Sequence, residues 1–322
     1  MPVVVNSNAT ATASSFNLSR ANDALRKSLE RLSTGKRINS AADDAGGLSV
    51  AYKLNSKMNR TSSIIQNSQN ALSYLQVQDS SLSAVGKIVD RMAELRTMAQ
   101  DITKNTGDIE NYSKEFIELQ SQLNQISQEK FNGISLFSTG TGDTSVATLN
   151  GGTASFNSAS YNTFSRTLTT HDSGDTASGS VSINVINFKF MLSIHGTTGT
   201  PSPTTGYNLG NINSGNPTTV SFTSSGYIND ITQVSVGAFI DVIGRIADMR
   251  AENGAEQNRV MQRIDLLQSN LTNIEAAHGR IMDADIALES TRFARHNILV
   301  QASASMTAQA NQLSAVALSL IG

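Results

Sequence analysis

The chain has 322 residues, a net charge of −2, and neither Cys nor Trp. The missing Cys excludes disulfides, Cys-ligated zinc, iron–sulfur clusters and thiol catalysis, and the small net charge argues against a nucleic-acid partner. Of four Pro, three cluster at Pro201, Pro203 and Pro217, so both flanks are nearly free of helix breakers.

Residues 1–15 lack a basic n-region, and their one apolar run is Val3–Val5, so they do not read as a secretory signal. No apolar run is long enough to span a bilayer. The expectation is a chain without membrane insertion, either cytosolic or exported by a route that needs no cleaved signal. The first helix carries Leu18, Ala21, Leu25, Leu29 and Leu32 at spacings of three and four, one apolar stripe. Arg20, Asp23, Arg26, Lys27, Glu30 and Arg31 lie opposite. One short amphipathic helix does not stay folded alone in water, so it requires a partner.

Gly35 stops that helix, and the next stretch, Arg37 to Gly47, is dense in Asn, Ser and Asp. Asn39 or Ser40 is expected to cap a second helix, with Asp43 and Asp44 in its first turn and Gly46-Gly47 allowing a change of direction. No third carboxylate, His or Cys lies nearby, so the Asp pair is not assigned to a metal. From about Leu48 to Thr103 a coiled-coil-like stripe follows: Leu54, Met58, Ile65, Leu72, Leu75, Leu82, Val85, Val89, Met92, Ala99 and Ile102. Gly107-Asp108 reads as a turn. Ile109, Tyr112, Phe116, Leu119, Leu123 and Ile126 then predict an antiparallel return helix. Asn132-Gly133 predicts a tight turn.

Residues 139–227 change composition to Thr, Ser, Gly and Asn with almost no charge. Val181, Ile183 and Val185 alternate in one phase; Phe188, Phe190, Leu192 and Ile194 alternate in the other. The break near Ile186 predicts a bulge or a strand buried on both faces. Helical periodicity resumes with Phe239, Val242, Ile246, Met249, Val260, Ile264, Leu267, Leu271 and Ile274, interrupted in phase by Asn253 and Glu256. After Gly279 and Asp283-Ala284-Asp285, a final helix sets Leu299, Ala302, Met306, Leu313, Val316 and Leu320 on one face, the expected partner of the first helix.

The fold class is therefore mainly α with an inserted β domain: a long coiled-coil-like helical bundle formed by both chain ends and a small β-rich central domain. Five segments are expected: 1–45, a core helix and turn; 46–138, a helical rod; 139–227, an outer variable domain; 228–280, the second half of the rod; and 281–322, a second core helix. No HExxH, P-loop, GxGxxG after a strand or GxSxG is present. His171-Asp172 with His195 is the best metal candidate and is a weak one. The reading assigns no catalytic residue, no metal and no cofactor.

ALRKSLERLSTGKRINSAADDAGGLSVA closely resembles the N-terminal signature of bacterial flagellins, and DADIALESTRFARHNILVQASASMTAQANQLSAVALSLIG resembles their C-terminal signature. FNGISLF resembles the segment that ends the family's first helical domain. The resemblance implies the structural subunit of the flagellar filament, exported through the flagellar type III channel and self-assembling for swimming motility. It implies filament-core packing by Leu18, Leu25, Leu29, Leu32, Leu299, Met306, Leu313, Val316 and Leu320, and a joint between core and rod at Arg37, Asn39, Asp43 and Asp44. Implied partners are other copies of the chain, an export chaperone on Ile286 to Leu320, the flagellar cap and hook-associated proteins, and the host Toll-like receptor 5. The receptor patch implied by the family pattern is Arg91, Glu94 and Leu95 with Glu118 on the neighbouring helix; Ala93 stands where the best-recognised members carry a second Arg. The alternatives are a hook–filament junction protein and a secreted coiled-coil adhesin.

Overall fold

The structure is a computed structural model that describes residues 8–138, 164–171, 180–194, 207–209 and 231–321. In chain order these form α1 (Ala9–Thr34), α2 (Ala45–Met98), α3 (Thr106–Ser127), β1 (Lys130–Phe131), β2 (Ile134–Ser135), β3 (Phe137–Ser138), β4 (Phe164–Thr169), β5 (Ser180–Asn187), the one-turn α4 (Phe188–Met191), β6 (Ser193–Ile194), β7 (Tyr207–Asn208), α5 (Val236–Met282) and α6 (Ile286–Ile321). The fold is mainly helical with a small strand region, as the periodicities predict. It divides into two compact units: a terminal unit of residues 1–59 with 270–322, and a central unit of residues 60–269.

In the central unit the predicted stripes become a core. Leu75, Leu82, Val85, Val89 and Met92 of α2 are fully buried, as are Phe116 and Leu123 of α3 and Phe239, Val242 and Val260 of α5. Phe116 and Phe239 meet edge-to-face with ring centroids 6.3 Å apart. The stripe ends earlier than the spacing predicts. Helix α2 stops at Met98, and Asn105 with Asp108 forms a capping box that starts α3. Gly107-Asp108 therefore lies in the first turn of α3 rather than marking the turn. Ile102 keeps the stripe's spacing but falls in the loop, 99% exposed. Asn132 (φ 50°) and Gly133 (φ 78°) both take left-handed backbone and join β1 to β2, as predicted.

Strand β5 is the centre of a three-stranded sheet, parallel to β3 and antiparallel to β4. Val181, Ile183 and Val185 are buried, and so are Ile186 and Asn187, so the strand's end is covered on both faces. The second alternation is not a strand throughout. Phe188 to Met191 make a helical turn, and Phe188 packs on Phe137 with centroids 5.1 Å apart. Chain from the 139–227 stretch is fastened to α5 in the same unit. The Asn184 N–H donates to both Glu256 carboxylate oxygens at 3.1 and 3.2 Å, and the Asn184 side chain donates to Glu252 at 2.8 Å. Arg245 donates to the Met191 carbonyl at 3.1 Å and to the Ser193 carbonyl, Arg259 to the Ser182 carbonyl, and Arg263 to the Thr170 carbonyl at 3.1 Å.

Asn253 and Glu256, which break the apolar phase of α5, are therefore interior groups. Asn253 donates to Gln78 at 2.8 Å, and Gln78 donates to the Leu136 carbonyl at 2.9 Å. Glu256 is 6% exposed, and burial pushes its carboxyl up to about 7 against the pull of the Asn184 N–H and Arg259.

Candidate functional site

The site is built from the two ends of the chain and the joint that closes them. Asn8 caps α1, its side-chain oxygen accepting the Ala11 N–H at 3.0 Å. Gly35, at φ 68°, ends the helix in the left-handed conformation that favours glycine, and its N–H donates to the Arg31 carbonyl at 2.9 Å. The chain then pairs with the α5–α6 corner. Lys36 bridges Asp283, the Arg37 N–H donates to the Met282 carbonyl at 2.6 Å, and the Ala284 N–H donates to the Gly35 carbonyl at 2.9 Å. The Arg37 guanidinium adds two bonds to the Ile281 carbonyl, at 2.8 and 3.2 Å. Ile38, Ala51 and Met282 form a small buried cluster beneath.

The two aspartates of the joint do different work. Asp43 accepts the N–H groups of Asn39 and Ser40, each at 3.2 Å, and pairs with Lys27 at 2.5 Å. Lys27 and the Asn39 N–H hold its carboxyl down at about 2. Asp44 caps α2, accepting the Gly47 N–H at 2.8 Å. This corrects the expectation that Asn39 or Ser40 caps the helix with both aspartates inside it: the helix starts after Asp44, because only there does a carboxylate face the free N–H groups. Gly46 and Gly47 lie in the first helical turn, not at a bend. A Cβ on Gly47 would stand 2.9 Å from Ile38 Cδ1 and collide with the Asp44 carboxylate, so the glycine admits both the cap and the Ile38 contact. Arg37, Asn39, Asp43 and Asp44 are thus brought together, each held by local hydrogen bonds.

Helices α1 and α6 run antiparallel: the Asn8 side chain donates to the Ala310 carbonyl at 2.8 Å at one end, and Arg31 stands 3.9 Å from Glu289 at the other. The covered positions of α1 are 11, 14, 18, 21, 24, 25, 28, 31 and 32, and 11, 14, 18, 21, 25, 28 and 32 of them follow a heptad seam. Leu18, Leu25 and Leu32 are in it. Leu29 is not; it is 56% exposed, and Ser28, 3% exposed, takes its place. On α6 the covered seam is Glu289, Phe293, His296, Val300, Ser303, Thr307 and Ala310. The expectation that Leu299 and Met306 meet α1 within the chain is corrected. They belong to a second heptad seam, displaced by one residue, that runs through Leu288, Arg292, Arg295, Leu299, Ala302 and Met306 and is exposed. The covered seams mix small and polar residues (Ser28, Ser303, Thr307, Ala310) with Leu18, Leu25, Leu32, Phe293 and Val300, while Leu299 and Met306 stay outside.

Residues 5–141 match the bacterial flagellin N-terminal helical region, and residues 238–321 match the bacterial flagellin C-terminal helical region. The chain belongs to the bacterial flagellins. It is similar to the flagellin of Listeria monocytogenes at 27% identity, with 96% of each chain covered. It is 29% identical to polar flagellin F of Vibrio parahaemolyticus with 100% of each covered. It is also 29% identical to the flagellar filament 41 kDa core protein of Borreliella burgdorferi, covering 99% of this chain and all of that one. This flagellin is a structural subunit that self-assembles into the flagellar filament for motility, not an enzyme. Filament subunit, rather than hook–filament junction protein or adhesin, is therefore its assignment. No described helix is long and apolar enough to cross a membrane. No three His, Cys, Asp or Glu come together among the described residues, and Asp172 and His195 of the metal candidate lie outside them.

In the central unit of this flagellin, Arg91 is exposed and pairs with Glu94 at 3.1 Å and with Glu115 of α3 at 2.8 Å. Within the chain Arg91 thus pairs with Glu115, and Glu118, one turn further on, is exposed. Leu95 is fully buried, because it continues the α2 core stripe; it supports the patch from beneath and is not part of its surface. The side chains of Leu313, Val316 and Leu320 lie outside the described ones. The buried Glu289, clamped by Arg31 and by Arg292 at 3.3 Å, is the residue that sequence reading missed. Its signal was an acidic residue at a heptad position of a helix with few charges.

Proposed function

We propose that the exposed second seam of α6, with the outward face of α1, is the surface through which this flagellin polymerises. The observation that carries this is the balance in the terminal unit. Among its described residues, nine large apolar ones are exposed (Phe16, Leu29, Val50, Tyr52, Ile286, Leu288, Ile298, Leu299 and Met306), against four buried hydrophobic residues of any size (Ile38, Ala51, Met282 and Ala310). A helix pair with so small a core gains too little to offset its ordering entropy, and apolar area at roughly 25 cal/mol per Å² is recovered only by covering the outer seam. Contacts of this kind between unlike surfaces give an open helical polymer.

The same seam explains the partners that the family implies. An export chaperone on Ile286 to Leu320 covers it before assembly, and a terminal unit with little core unravels readily for passage through an export channel to the flagellum outside the cell. The flagellar cap and hook-associated proteins meet the same helix ends. Arg91, Glu94 and Glu118, with Glu115 between the two helices, offer the exposed charged face for Toll-like receptor 5. The core–rod joint at Arg37, Asn39, Asp43 and Asp44, and the five-segment division, belong to the same proposal.

The test replaces Leu288, Leu299 and Met306 by Asp together. Electron microscopy after seeding should show no filaments, while circular dichroism keeps the helical signal of the central unit. Normal filament yield from the triple variant would overturn the seam.

A further inference from the structure

A cavity of about 620 Å³ opens at the joint of the terminal unit, lined by residues from α1, the joint, α2 and α5. Its floor is Ile38, Leu48, Ala51 and Met282, and its rim carries Lys36, Asn55 and His278. The volume is of the size that takes a small ligand or a few side chains. Ile38, Ala51 and Met282 of the floor belong to a buried cluster and are at most 8% exposed, so the open apolar wall is the partly buried Leu48 with Tyr52, which is 72% exposed.

The most exposed large apolar residue among those described is Ile102, in the loop between α2 and α3. The loop is held in shape. The Thr103 N–H donates to the Asp101 carboxylate at 2.9 Å, which keeps that carboxyl below its usual range, and the Lys104 N–H donates to the Asp101 carbonyl at 3.1 Å. Ile102 stands out from this loop beside an ionised aspartate, and no described residue covers it.

We propose that the cavity is filled by Ile102 of a second copy, with Asp101 of that copy set against Lys36 and His278 on the rim. The proposal rests on the filament assignment and adds to it a specific contact away from the terminal seam. Three features commit the occupant to another copy of this chain. The protein is a homopolymer, so its surfaces must include unlike complementary pairs. The cavity floor is apolar, and so is the knob. Lys36 on the rim is opposite in charge to Asp101 beside the knob. A cavity of this size also has room for parts of Asp101 and Thr103 around the Ile102 side chain.

The native chain has no Cys, so a cross-link can be read without background. Copies carrying Asn55→Cys are co-assembled with copies carrying Ile102→Cys, on seeds of the unaltered protein, and the filaments are oxidised. Since each copy holds one thiol, every cross-link is between copies. A disulfide dimer should appear in mixed filaments and be absent from filaments of either variant alone. Thr103→Cys, which keeps the isoleucine, should give the same dimer with Asn55→Cys. Mixed filaments that stay monomeric for both pairings would overturn the contact while leaving the filament assignment intact. Dimers formed by Asn55→Cys copies alone would place a different part of the neighbour at the cavity and overturn it equally. Absence of filaments from the unaltered protein would instead contradict the assignment on which the contact rests. As a second readout, Lys36→Glu should raise the critical concentration for assembly by about threefold at low salt, and adding Asp101→Lys to the same chain should reverse most of that rise.

Discussion

The two units of this flagellin solve the problem of apolar surface in opposite ways. Among the described residues the central unit buries 34 hydrophobic residues and exposes five large ones, whereas the terminal unit buries four and exposes nine. Both are built from long helices with three-and-four spacing, so helical periodicity alone does not separate them. What separates them is where the larger residues sit relative to the heptad. In α2, α3 and α5 they occupy the covered stripe. In α6, Leu288, Leu299 and Met306 occupy a seam next to the covered one, which holds Phe293 and Val300. On the proposed reading, a unit of the first kind is stable as a monomer, and a unit of the second kind becomes stable when other copies cover it.

The contrast can be broken from the central side. Phe116→Ala removes a fully buried ring that meets Phe239, and should cost about 3–5 kcal/mol in the thermal or denaturant unfolding of the central unit. Leu299→Ala in the terminal unit should cost monomer unfolding no more than about 1 kcal/mol, because its side chain is already 46% exposed. Equal losses from the two substitutions would erase the distinction between the units.

Glu256 gives a pH signature to the central unit alone. Its carboxyl is raised from an unfolded value of 4.5 to about 7, so the folded state favours the protonated form. The stability it contributes is complete below about pH 4.5 and is lost as pH rises to about 7, a swing of about 3 kcal/mol at most. Glu256→Gln should flatten the dependence of the central unit's unfolding midpoint between pH 5 and 8. An unchanged slope would mean that the carboxyl does not carry it. Asp43 in the terminal unit has the opposite sign: its carboxyl is lowered to about 2, so its contribution is present above pH 4 and is lost as pH falls toward 2. The smallest effect is expected at the helix start: Asn105→Ala opens the capping box and should cost about 1 kcal/mol in the central unit, with assembly unaffected.

Much of this was readable in the residues. The stripes on α2, α3 and α5, the stop at Gly35, the Asn132-Gly133 turn and the pairing of the chain ends all follow from spacing and turn chemistry. The failures have a common cause. Leu29 and Leu299 fit a helical stripe as well as their neighbours Ser28 and Val300 do, and spacing cannot rank two seams one residue apart. Tertiary packing turned Ser28 and Val300 inward and left Leu29 and Leu299 on the outside. Ile102 kept the interval of α2 after Asn105 and Asp108 had already claimed the next helix start. Gly46-Gly47 read as a bend because the steric demand came from Ile38 and Asp44, which only the folded joint brings together. The break after Ile186 was visible, but a helical turn there was not, since a four-residue helix leaves no period to detect. Glu256 looked like a flaw in a stripe, because its partner, the Asn184 N–H, lies 72 positions away.

The central claim is that the terminal unit completes its burial in the filament and the central unit does so in the monomer. Amide hydrogen exchange of monomer and filament, resolved by peptide, tests it most directly. Peptides from α1 and α6 should exchange quickly in the monomer and slow by at least about a hundredfold in the filament, while the buried stretch of α2 from Leu75 to Met92 should be protected in both. Equal protection of α1 and α6 in the two states would contradict the account.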